Sequence, residues 1–336
     1  MPVMLGSGQA WSKGGGGVTD LLGREPVALL WGLAGVLATL TLGALAALLL
    51  PRLKPGKDYR NLQQRVWSWW VMATLLAGAL LTGWLPMTAL FALVSFLALK
   101  EFLSLAPMSR EDRPLILVAY LTIPLNYAIV LTNWYGMYLV FVPVYVFAAV
   151  PFLMACIGQT RGYLARSSVF HFGVVTCVYA LGYIPLLMRV PQADAPQAGP
   201  AGLVFMLLFA TEANDVLQYV CGKLLLGRRK IMPKVSPNKT WEGFLGGWIL
   251  TAGLIVLAAP HLTPLRGAGL WMVAILLPLA GFAGDVTMSA VKRDIGVKDT
   301  SQFIPGHGGV LDRLDSLIFT APLYFHLVAY FALETY

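Results

Sequence analysis

Apolar runs of about 20 residues follow one another along almost the whole of this chain. A run of that length can cross the hydrocarbon core of a bilayer as an α-helix, because a helix bonds its backbone polar groups within one segment. The pattern therefore predicts an all-α, polytopic membrane protein with about ten transmembrane helices. The predicted spans are roughly 27–50, 67–84, 86–103, 114–132, 137–157, 168–190, 202–222, 243–260, 269–290 and 314–334, and only Leu85-Pro86 separates the second from the third.

The composition leaves no room for a large soluble domain. Of the 336 residues, 58% are hydrophobic and 12% are charged, whereas a soluble domain carries about 25% charged residues. Three isolated cysteines in apolar runs, Cys156, Cys177 and Cys221, exclude a disulfide framework and a zinc-finger spacing. We predict an N-terminal tail over 1–26 without a cleavage site, N-terminal transmembrane helices over 27–200 and a C-terminal transmembrane region over 201–336 that holds the candidate site.

Basic residues fall on one side of the predicted spans. Counted by loop, 20 of the 24 Lys and Arg residues lie on that side, and the other side holds Lys13, Arg24, Arg189 and Arg266. Loops rich in Lys and Arg remain in the cytoplasm. The bias predicts a multi-pass protein of the cytoplasmic (inner) membrane with both termini outside. The net charge of +8 then faces anionic lipid headgroups and anionic solutes.

The segment Ser289–Ser316, called the charged segment below, lies between two apolar runs. Ionised groups at membrane depth are costly and usually mark a site. Carboxylates hold divalent cations, Lys and Arg neutralise phosphates, and the glycines of 305–309 let the backbone approach a ligand. His307, within that glycine-rich run, is predicted to contact phosphate or to act as an acid–base group. The charged residues are Lys292, Arg293, Asp294, Lys298, Asp299, Asp312, Arg313 and Asp315.

Asp285 lies four residues before the charged segment, one to two helical turns inside the ninth span. One interpretation is a carboxylate neutralised by Lys292 or Arg293, which are near it on the same helical face. The other is a cation site, because Asp312 and Asp315 return to the same boundary. Oxygen ligands and the absence of Cys favour Mg²⁺ or Mn²⁺ over zinc.

The seventh span carries polar side chains on one face. Glu212 and Asp215 are three residues apart, and Tyr219 is one turn further on. Such groups within a span must face a polar interior. We predict a ligand or metal role for Asp215 and leave Glu212 open, with hydrogen bonding between helices as the alternative for Asn214 and Tyr219.

The loop at residues 223–247 is a candidate anion site. Ser236 or Thr240 is predicted to cap the eighth span, with Glu242 in its first turn. Lys239 lies beside these hydroxyls, and a helix N-terminus with Lys and hydroxyl groups is typical of phosphate binding.

The charged segment resembles the signature of the phosphatidate cytidylyltransferases, also called CDP-diacylglycerol synthases. The family pattern is Ser, two residues, Lys-Arg, four residues, Lys-Asp and a nearby small residue, then Pro-Gly-His-Gly-Gly, two residues, Asp-Arg, one residue and Asp. The stretch SPNKTWEGFLGG from Ser236 is similar to the family's second conserved stretch. The signature falls on Ser289, Lys292, Arg293, Lys298, Asp299, Ser301, Pro305, Gly306, His307, Gly308, Gly309, Asp312, Arg313 and Asp315.

The resemblance implies an enzyme that converts CTP and phosphatidate into CDP-diacylglycerol and pyrophosphate in a lipid membrane. It implies that Asp285 and Asp312 bind Mg²⁺, with a K⁺ ion beside it and with Asp215 and Asp315 as neighbours. The implied catalytic residues are Asp285, Lys292, Arg293, His307, Asp312 and Arg313, and the implied substrate-binding residues are Asp215, Tyr219, Ser236, Lys239, Thr240, Glu242, Lys298, Asp299 and Asp315.

One departure from the family concerns the seventh span. The family commonly has Ala one position before the tyrosine, and this chain has Gln218. This indicates a divergent subfamily in which Gln218 alters either helix packing or the acceptor pocket.

Alternative functions are a cytidylyltransferase for another lipid phosphate, a CTP-dependent lipid kinase and an anion transporter. A transporter predicts ionisable groups near the midplane of repeat-related spans, whereas here they crowd at one boundary. Nothing predicts nucleic-acid binding, and a homodimer is left open.

Overall fold

The computed structural model of this chain describes residues 27–53, 58–106, 112–158, 160–190 and 198–333. The predicted tail, residues 1–26, lies outside the described residues. Both chain termini, which were predicted to be external, also lie outside them.

Each predicted span corresponds to one helical region of the described chain. Because most of the described residues are helical and nearly none form a sheet, the prediction of an all-α membrane protein is confirmed. The helical regions are α1 (Val27–Leu53), α2 (Arg60–Thr82), α3 (Trp84–Leu105), α4 (Arg113–Thr132), α5 (Tyr135–Cys156, with a π-helical stretch at Phe141–Val146), α6 (Tyr163–Leu187, with one at Val175–Tyr179), α7 (Gly199–Leu224), α8 (Trp241–Leu262), α9 (Gly267–Ile295) and α10 (Leu317–Leu333).

Within the described residues, eight of these helices are long and apolar enough to cross a membrane by length and composition. The other two are α2, whose first turns contain Arg60 and Arg65, and α10, which has 17 residues. The charged segment ends with a short 3₁₀ helix (Leu311–Arg313), so α10 begins three residues later than the predicted tenth span.

The break between α2 and α3 lies at Gly83, not at Leu85-Pro86 as the sequence suggested. Gly83 has φ 112°, a conformation that favours glycine because it has no Cβ. Pro86 instead occupies the first turn of α3, where its missing N–H leaves no intrahelical hydrogen bond unmade.

The centre of the packed helices is α6. Of its most apolar 18-residue stretch 72% is buried, against 6% for α1, which therefore lies at the periphery. Residues 180–187 of α6 are all buried and pack against α10 and α3. The helices that carry predicted site residues, α7, α8 and α9, pack against one another, and α10 packs against α9 and α7.

Helices α7 and α8 approach closely because glycines of α8 face Gln218. A Cβ added at Gly247 would lie 2.6 Å from the Gln218 backbone nitrogen, and one added at Gly243 would lie 2.7 Å from the Gln218 carbonyl oxygen. Small residues at such contacts let helix backbones meet. Of the two interpretations of Gln218, the structure favours a role in helix packing.

A two-stranded antiparallel ribbon separates α7 from α8, where the sequence analysis expected a loop. Its strands are β1 (Lys230–Met232) and β2 (Ser236–Thr240). Thr240 is the N-cap of α8 and accepts a hydrogen bond from the Gly243 N–H at 3.2 Å, so one of the two predicted caps is confirmed. Ser236, the other predicted cap, begins β2 instead.

Cysteine accessibility tests the predicted orientation. In a variant without the three native cysteines, we expect Asn238→Cys and Gln302→Cys to react with a membrane-impermeant maleimide only after the cells are permeabilised. Ala268→Cys, in the first turn of α9, should react in intact cells. All three positions are exposed, so accessibility reports the side of the membrane. Labelling of Asn238→Cys in intact cells would contradict the orientation.

Candidate active site

Four parts of the chain converge at the C-terminal end of α9. They are α9 itself, the ribbon before α8, the middle of α7 and the connection from α9 to α10, residues 296–316, which we call the charged loop. Helix α9 ends at Gly296, whose φ of 81° is the left-handed conformation that commonly terminates a helix. The charged loop therefore turns back toward the bundle directly after Lys292 and Arg293.

Asp285 pairs with Lys239, not with Lys292 or Arg293 as one interpretation of the sequence proposed. The Lys239 Nζ lies 2.6 Å from Asp285 Oδ2, with both side chains largely buried, and Ser289 Oγ donates to Asp285 Oδ1 at 3.2 Å. The Lys239 ammonium also lies 4.5 Å from the centre of the Phe282 ring. The ribbon thus brings a lysine to a carboxylate that is distant in sequence.

A second contact attaches the ribbon to the end of α9. Arg293 Nε donates to the Val235 carbonyl oxygen at 3.2 Å. Together with the Lys239–Asp285 pair, this contact places the ribbon and the charged segment on the same side of the helix bundle, as the distribution of basic residues predicted.

Asp215, Asp285 and Asp315 form a group that we call the acidic cluster. Ser316 donates its hydroxyl to Asp215 Oδ2 at 3.0 Å and its N–H to Asp315 Oδ1 at 2.9 Å. The other oxygen of Asp215 is buried without a hydrogen-bond partner. Asp315 lies before α10 begins, and burial, followed by the charges of Asp285 and Asp215, raises its pKa to about 7.

Asp312 is buried and has donors at both carboxylate oxygens. Lys292 Nζ lies 2.8 Å from Oδ1, while Oδ2 accepts hydrogen bonds from the Thr300 N–H at 2.8 Å, the Thr300 hydroxyl at 3.0 Å and the Gly309 N–H at 2.9 Å. Burial alone would raise the pKa of Asp312. The hydrogen bonds from Lys292, Gly309 and Thr300 outweigh burial and hold this pKa below its ordinary value.

Glu101, which the sequence analysis did not select, holds the charged loop from α3. Its Oε1 accepts hydrogen bonds from the Ser301 hydroxyl at 2.7 Å and the Val310 N–H at 3.0 Å. Its Oε2 accepts from the Thr300 hydroxyl at 3.1 Å and the Leu311 N–H at 2.9 Å. The signal in the sequence was a carboxylate within an apolar run, the feature that drew attention to Asp285.

The run Pro305–Gly309, whose glycines were expected to let the backbone approach a ligand, contains an ordered turn. The His307 N–H donates to the Ile304 carbonyl at 2.9 Å around Pro305 and Gly306, and Gly306 has φ 75°. This is the arrangement of a type II turn, with Pro second and Gly third.

Helix α2 holds this turn through two side chains. Arg65 Nε donates to the Gly306 carbonyl at 2.9 Å, and the Ser68 hydroxyl donates to the Pro305 carbonyl at 2.8 Å. The Trp69 and His307 rings meet edge to face at 5.8 Å. Residues before position 200 therefore support the site. The division of the chain into an N-terminal and a C-terminal region at that position stays a prediction.

The residues of the predicted Mg²⁺ site include suitable ligands, but Asp285 and Asp312 are each paired with a lysine. The acidic cluster offers hard oxygen ligands, including the unpartnered oxygen of Asp215, and such ligands suit Mg²⁺. Asp312 has both oxygens engaged, so a cation there must displace Lys292. Among the described residues, no three His, Cys, Asp or Glu side chains are already arranged to hold a metal. The assignments of Mg²⁺ and K⁺ stay predictions.

The remaining predicted residues lie around this centre. Tyr219 is 61% exposed, with its ring centre 4.4 Å from the Lys223 ammonium. Glu242 is in the first turn of α8, and one of its oxygens is buried without a hydrogen-bond partner. Arg313 is exposed and acts electrostatically on both His307 and Asp315. Lys298 and Asp299 are exposed at the start of the charged loop.

Comparison with known proteins shows which family the chain resembles. The sequence pattern that describes the cytidylyltransferase family matches residues 63–331. A protein of Escherichia coli (strain K12) named "Uncharacterized protein YnbB" is 40% identical over 302 residues, which are 89% of this chain and 97% of that protein.

Relatives named phosphatidate cytidylyltransferase match a shorter part. The one from Mycobacterium leprae (strain TN) is 38% identical over 144 residues, which are 42% of this chain and 45% of the relative. The one from Brucella melitensis biotype 1 is 39% identical over 161 residues, which are 46% of this chain and 56% of the relative. The matches to these two relatives thus span about half of their length.

The titration of His307 tests the electrostatics of the site. Burial first, and then the positive charges of Arg313 and Arg65, lower its pKa below 6.5. Folding therefore disfavours the protonated form of His307. Its contribution to stability is present above pH 6.5 and is lost as the pH falls through the pKa of His307 in the folded protein. NMR of ¹³C-labelled histidines, assigned with His307→Asn, should give a midpoint below 6.5 that rises in Arg313→Gln.

Lys298→Gln is the control for that titration, because Lys298 is exposed and is not among the charges that act on His307. A wild-type midpoint above 6.5, or the same midpoint in Arg313→Gln as in wild type, would contradict the arrangement of charges.

Proposed function

Because the chain belongs to the cytidylyltransferase family, we propose that it transfers the cytidylyl group of CTP to phosphatidate, giving CDP-diacylglycerol and pyrophosphate. The observation that carries the proposal is the meeting of the acidic cluster with Lys239, Lys292, Arg293 and Arg313 at one end of an apolar helix bundle. A reaction between two phosphate-bearing substrates, one of them a lipid, requires charged groups at the end of an apolar helix bundle. The names of the relatives and the signature of the charged segment support phosphatidate as the acceptor.

The reaction exchanges one phosphoanhydride bond for another. A phosphate oxygen of phosphatidate forms a bond to the α-phosphorus of CTP, and the bond from that phosphorus to the oxygen bridging to the β-phosphorus breaks. The electron pair leaves with pyrophosphate. The acceptor is already ionised, so positioning and charge neutralisation provide most of the catalysis, and no covalent intermediate on the enzyme is needed.

Lysines and arginines of the site neutralise the substrates' charge. Lys239 and Lys292 each pair with a carboxylate in this structure, and a phosphate oxygen competes for the same ammonium groups. Arg313 is exposed beside His307 and the acidic cluster, in a position to bind the triphosphate or the lipid phosphate. Burial first, and then the charge of Arg313, lower the pKa of His307, which favours its neutral form as a hydrogen-bond donor.

Asp285, with Asp215 and Asp315 beside it, would hold the Mg²⁺ that the family implies, and Asp312 remains a further ligand if Lys292 moves away. Bound there, the cation would neutralise charge on the CTP phosphates and on the departing pyrophosphate. Release of Asp285 from Lys239 would leave its oxygen free for a cation while Lys239 binds a phosphate.

The acceptor approaches from the cytoplasmic leaflet with its acyl chains still in the bilayer. Helices α7 to α10 carry exposed apolar side chains close to the site, such as Val216 on α7 and Leu245 on α8. Gln218 lies against glycines of α8, which supports a role in helix packing over one in the acceptor pocket.

A product assay with purified protein tests the acceptor. With CTP labelled in the α-phosphate and in the cytosine, we expect labelled CDP-lipid from phosphatidate and one pyrophosphate per CDP-lipid, with CTP strongly preferred over ATP. Diacylglycerol and a polyprenyl phosphate serve as comparison acceptors. Release of CDP with a newly phosphorylated lipid and no pyrophosphate would contradict nucleotidyl transfer and indicate a CTP-dependent kinase.

Asparagine substitutions test the metal assignment. Asp285→Asn keeps the shape but loses a charge, so we expect kcat to fall by about 100-fold or more and half-maximal activity to need more Mg²⁺. Asp312→Asn should also lose activity, and EDTA should abolish wild-type turnover until Mg²⁺ is returned. Mg²⁺ alone should raise the thermal stability of wild type more than that of Asp285→Asn.

Asp294→Asn is the matched control, since Asp294 is an exposed carboxylate of the charged segment that belongs to neither ion pair. Near-normal rates in both Asp285→Asn and Asp312→Asn would show that these carboxylates only pair with Lys239 and Lys292.

A further inference from the structure

The carboxylate of Glu101, on α3, holds the charged loop by accepting hydrogen bonds from it. It lies near the end of α3 and is 9% exposed. Its four hydrogen-bond donors all come from residues 300–311, two from hydroxyl groups and two from backbone N–H groups. A buried carboxylate is stable only when it is paired or hydrogen-bonded, so the loop must keep these donors in place.

The two backbone donors lie at the start of the 3₁₀ helix. Val310 precedes this helix and Leu311 is its first residue, and both N–H groups point at Glu101. A negative side chain that accepts from the first N–H groups of a helix stabilises that helix end. The next residues of this helix are Asp312 and Arg313. By holding the start of the helix, Glu101 fixes the orientation of these two residues.

The hydroxyl donor Thr300 links Glu101 to the ion pair of the site. Its single hydroxyl proton is shared between Glu101 Oε2, at 3.1 Å from Oγ1, and Asp312 Oδ2, at 3.0 Å, while its N–H donates to Asp312. The other oxygen of Asp312 lies 2.8 Å from Lys292 Nζ. A continuous chain of hydrogen bonds therefore runs from α3 to a lysine of α9.

We propose that Glu101 is a positioning residue for cytidylyl transfer, which holds the Asp312–Lys292 pair and Arg313 in their reactive arrangement. The inference rests on the proposed function. Glu101 acts through the loop and touches neither reacting phosphate. A displacement of about 1 Å in groups that orient a reaction lowers rates by about 100-fold, and this is the scale of the effect expected here.

Glu101→Gln is the primary test. The glutamine has nearly the same size, but one oxygen becomes an NH₂ group, so either Val310 and Ser301 or Leu311 and Thr300 lose their acceptor. We expect kcat to fall by about 100-fold with KM for CTP changed less than about threefold. Amide hydrogen exchange should quicken at Val310 and Leu311 and remain unchanged in α8.

Asp112→Asn is the matched control. Asp112 is also a buried carboxylate of the N-terminal part, and it pairs with Arg166 at 3.1 Å. We expect this variant to lose thermal stability while kcat and the exchange of Val310 and Leu311 stay as in wild type.

Thr300 provides a second pair of variants if Glu101→Gln fails to fold. Thr300→Val keeps the shape but removes the hydroxyl that links Glu101 with Asp312, and Thr300→Ser restores it. We expect a kcat loss in the valine variant that the serine variant largely recovers.

Two results would overturn the role of Glu101. One is wild-type kcat in Glu101→Gln or, if that variant does not fold, in Thr300→Val. The other is a kcat loss in which exchange quickens equally in α3, α8 and α10, because that pattern belongs to general destabilisation. If wild type makes no CDP-lipid from phosphatidate, the proposed acceptor fails, and the same variants are compared with the acceptor that wild type does use.

Discussion

A carboxylate that leaves water at a membrane boundary must find enough N–H and O–H groups to replace its hydration. Glu101 and Asp312 meet that condition with donors from the charged loop, and Thr300 serves both. The loop keeps its shape because unfolding it would leave two buried charges without partners. The direction of Arg313, the pairing of Lys292 and the placement of Asp315 before α10 all depend on this arrangement.

The charged groups of the two ion pairs in the site can exchange their partners for substrate or cation. Lys239 and Lys292 neutralise Asp285 and Asp312 in this structure. In the proposed reaction each partner has an alternative: phosphate oxygens for the two lysines and a divalent cation for Asp285 and Asp312. Substrate and cation binding therefore replace existing pairs, and the site keeps its charges compensated in both conditions, which limits the desolvation penalty of assembling so many ions at a membrane boundary.

Helices from the N-terminal half of the chain contribute to the same site as the charged loop. Helix α2 holds the turn at Gly306 through Arg65, and α3 holds the 3₁₀ helix through Glu101. The family pattern begins at residue 63 and so includes both helices. The N-terminal helices are therefore more than a membrane anchor, because they provide the rigid surface against which the charged loop is folded.

The sequence by itself determined the helical membrane fold, because about 20 apolar residues in a row leave few options in a bilayer. Each helix overlaps its predicted span, although α2 begins seven residues earlier than predicted. It also pointed to Asp215, Asp285, Asp312 and Asp315, because charge within apolar sequence is readily seen. One interpretation paired Asp285 with Lys292 or Arg293, which are close in sequence. The actual partner, Lys239, becomes a neighbour only after the ribbon folds onto α9. Glu101 was missed for the same reason: its donors lie about 200 residues further along the chain, and only packing of α3 against the charged loop brings them together.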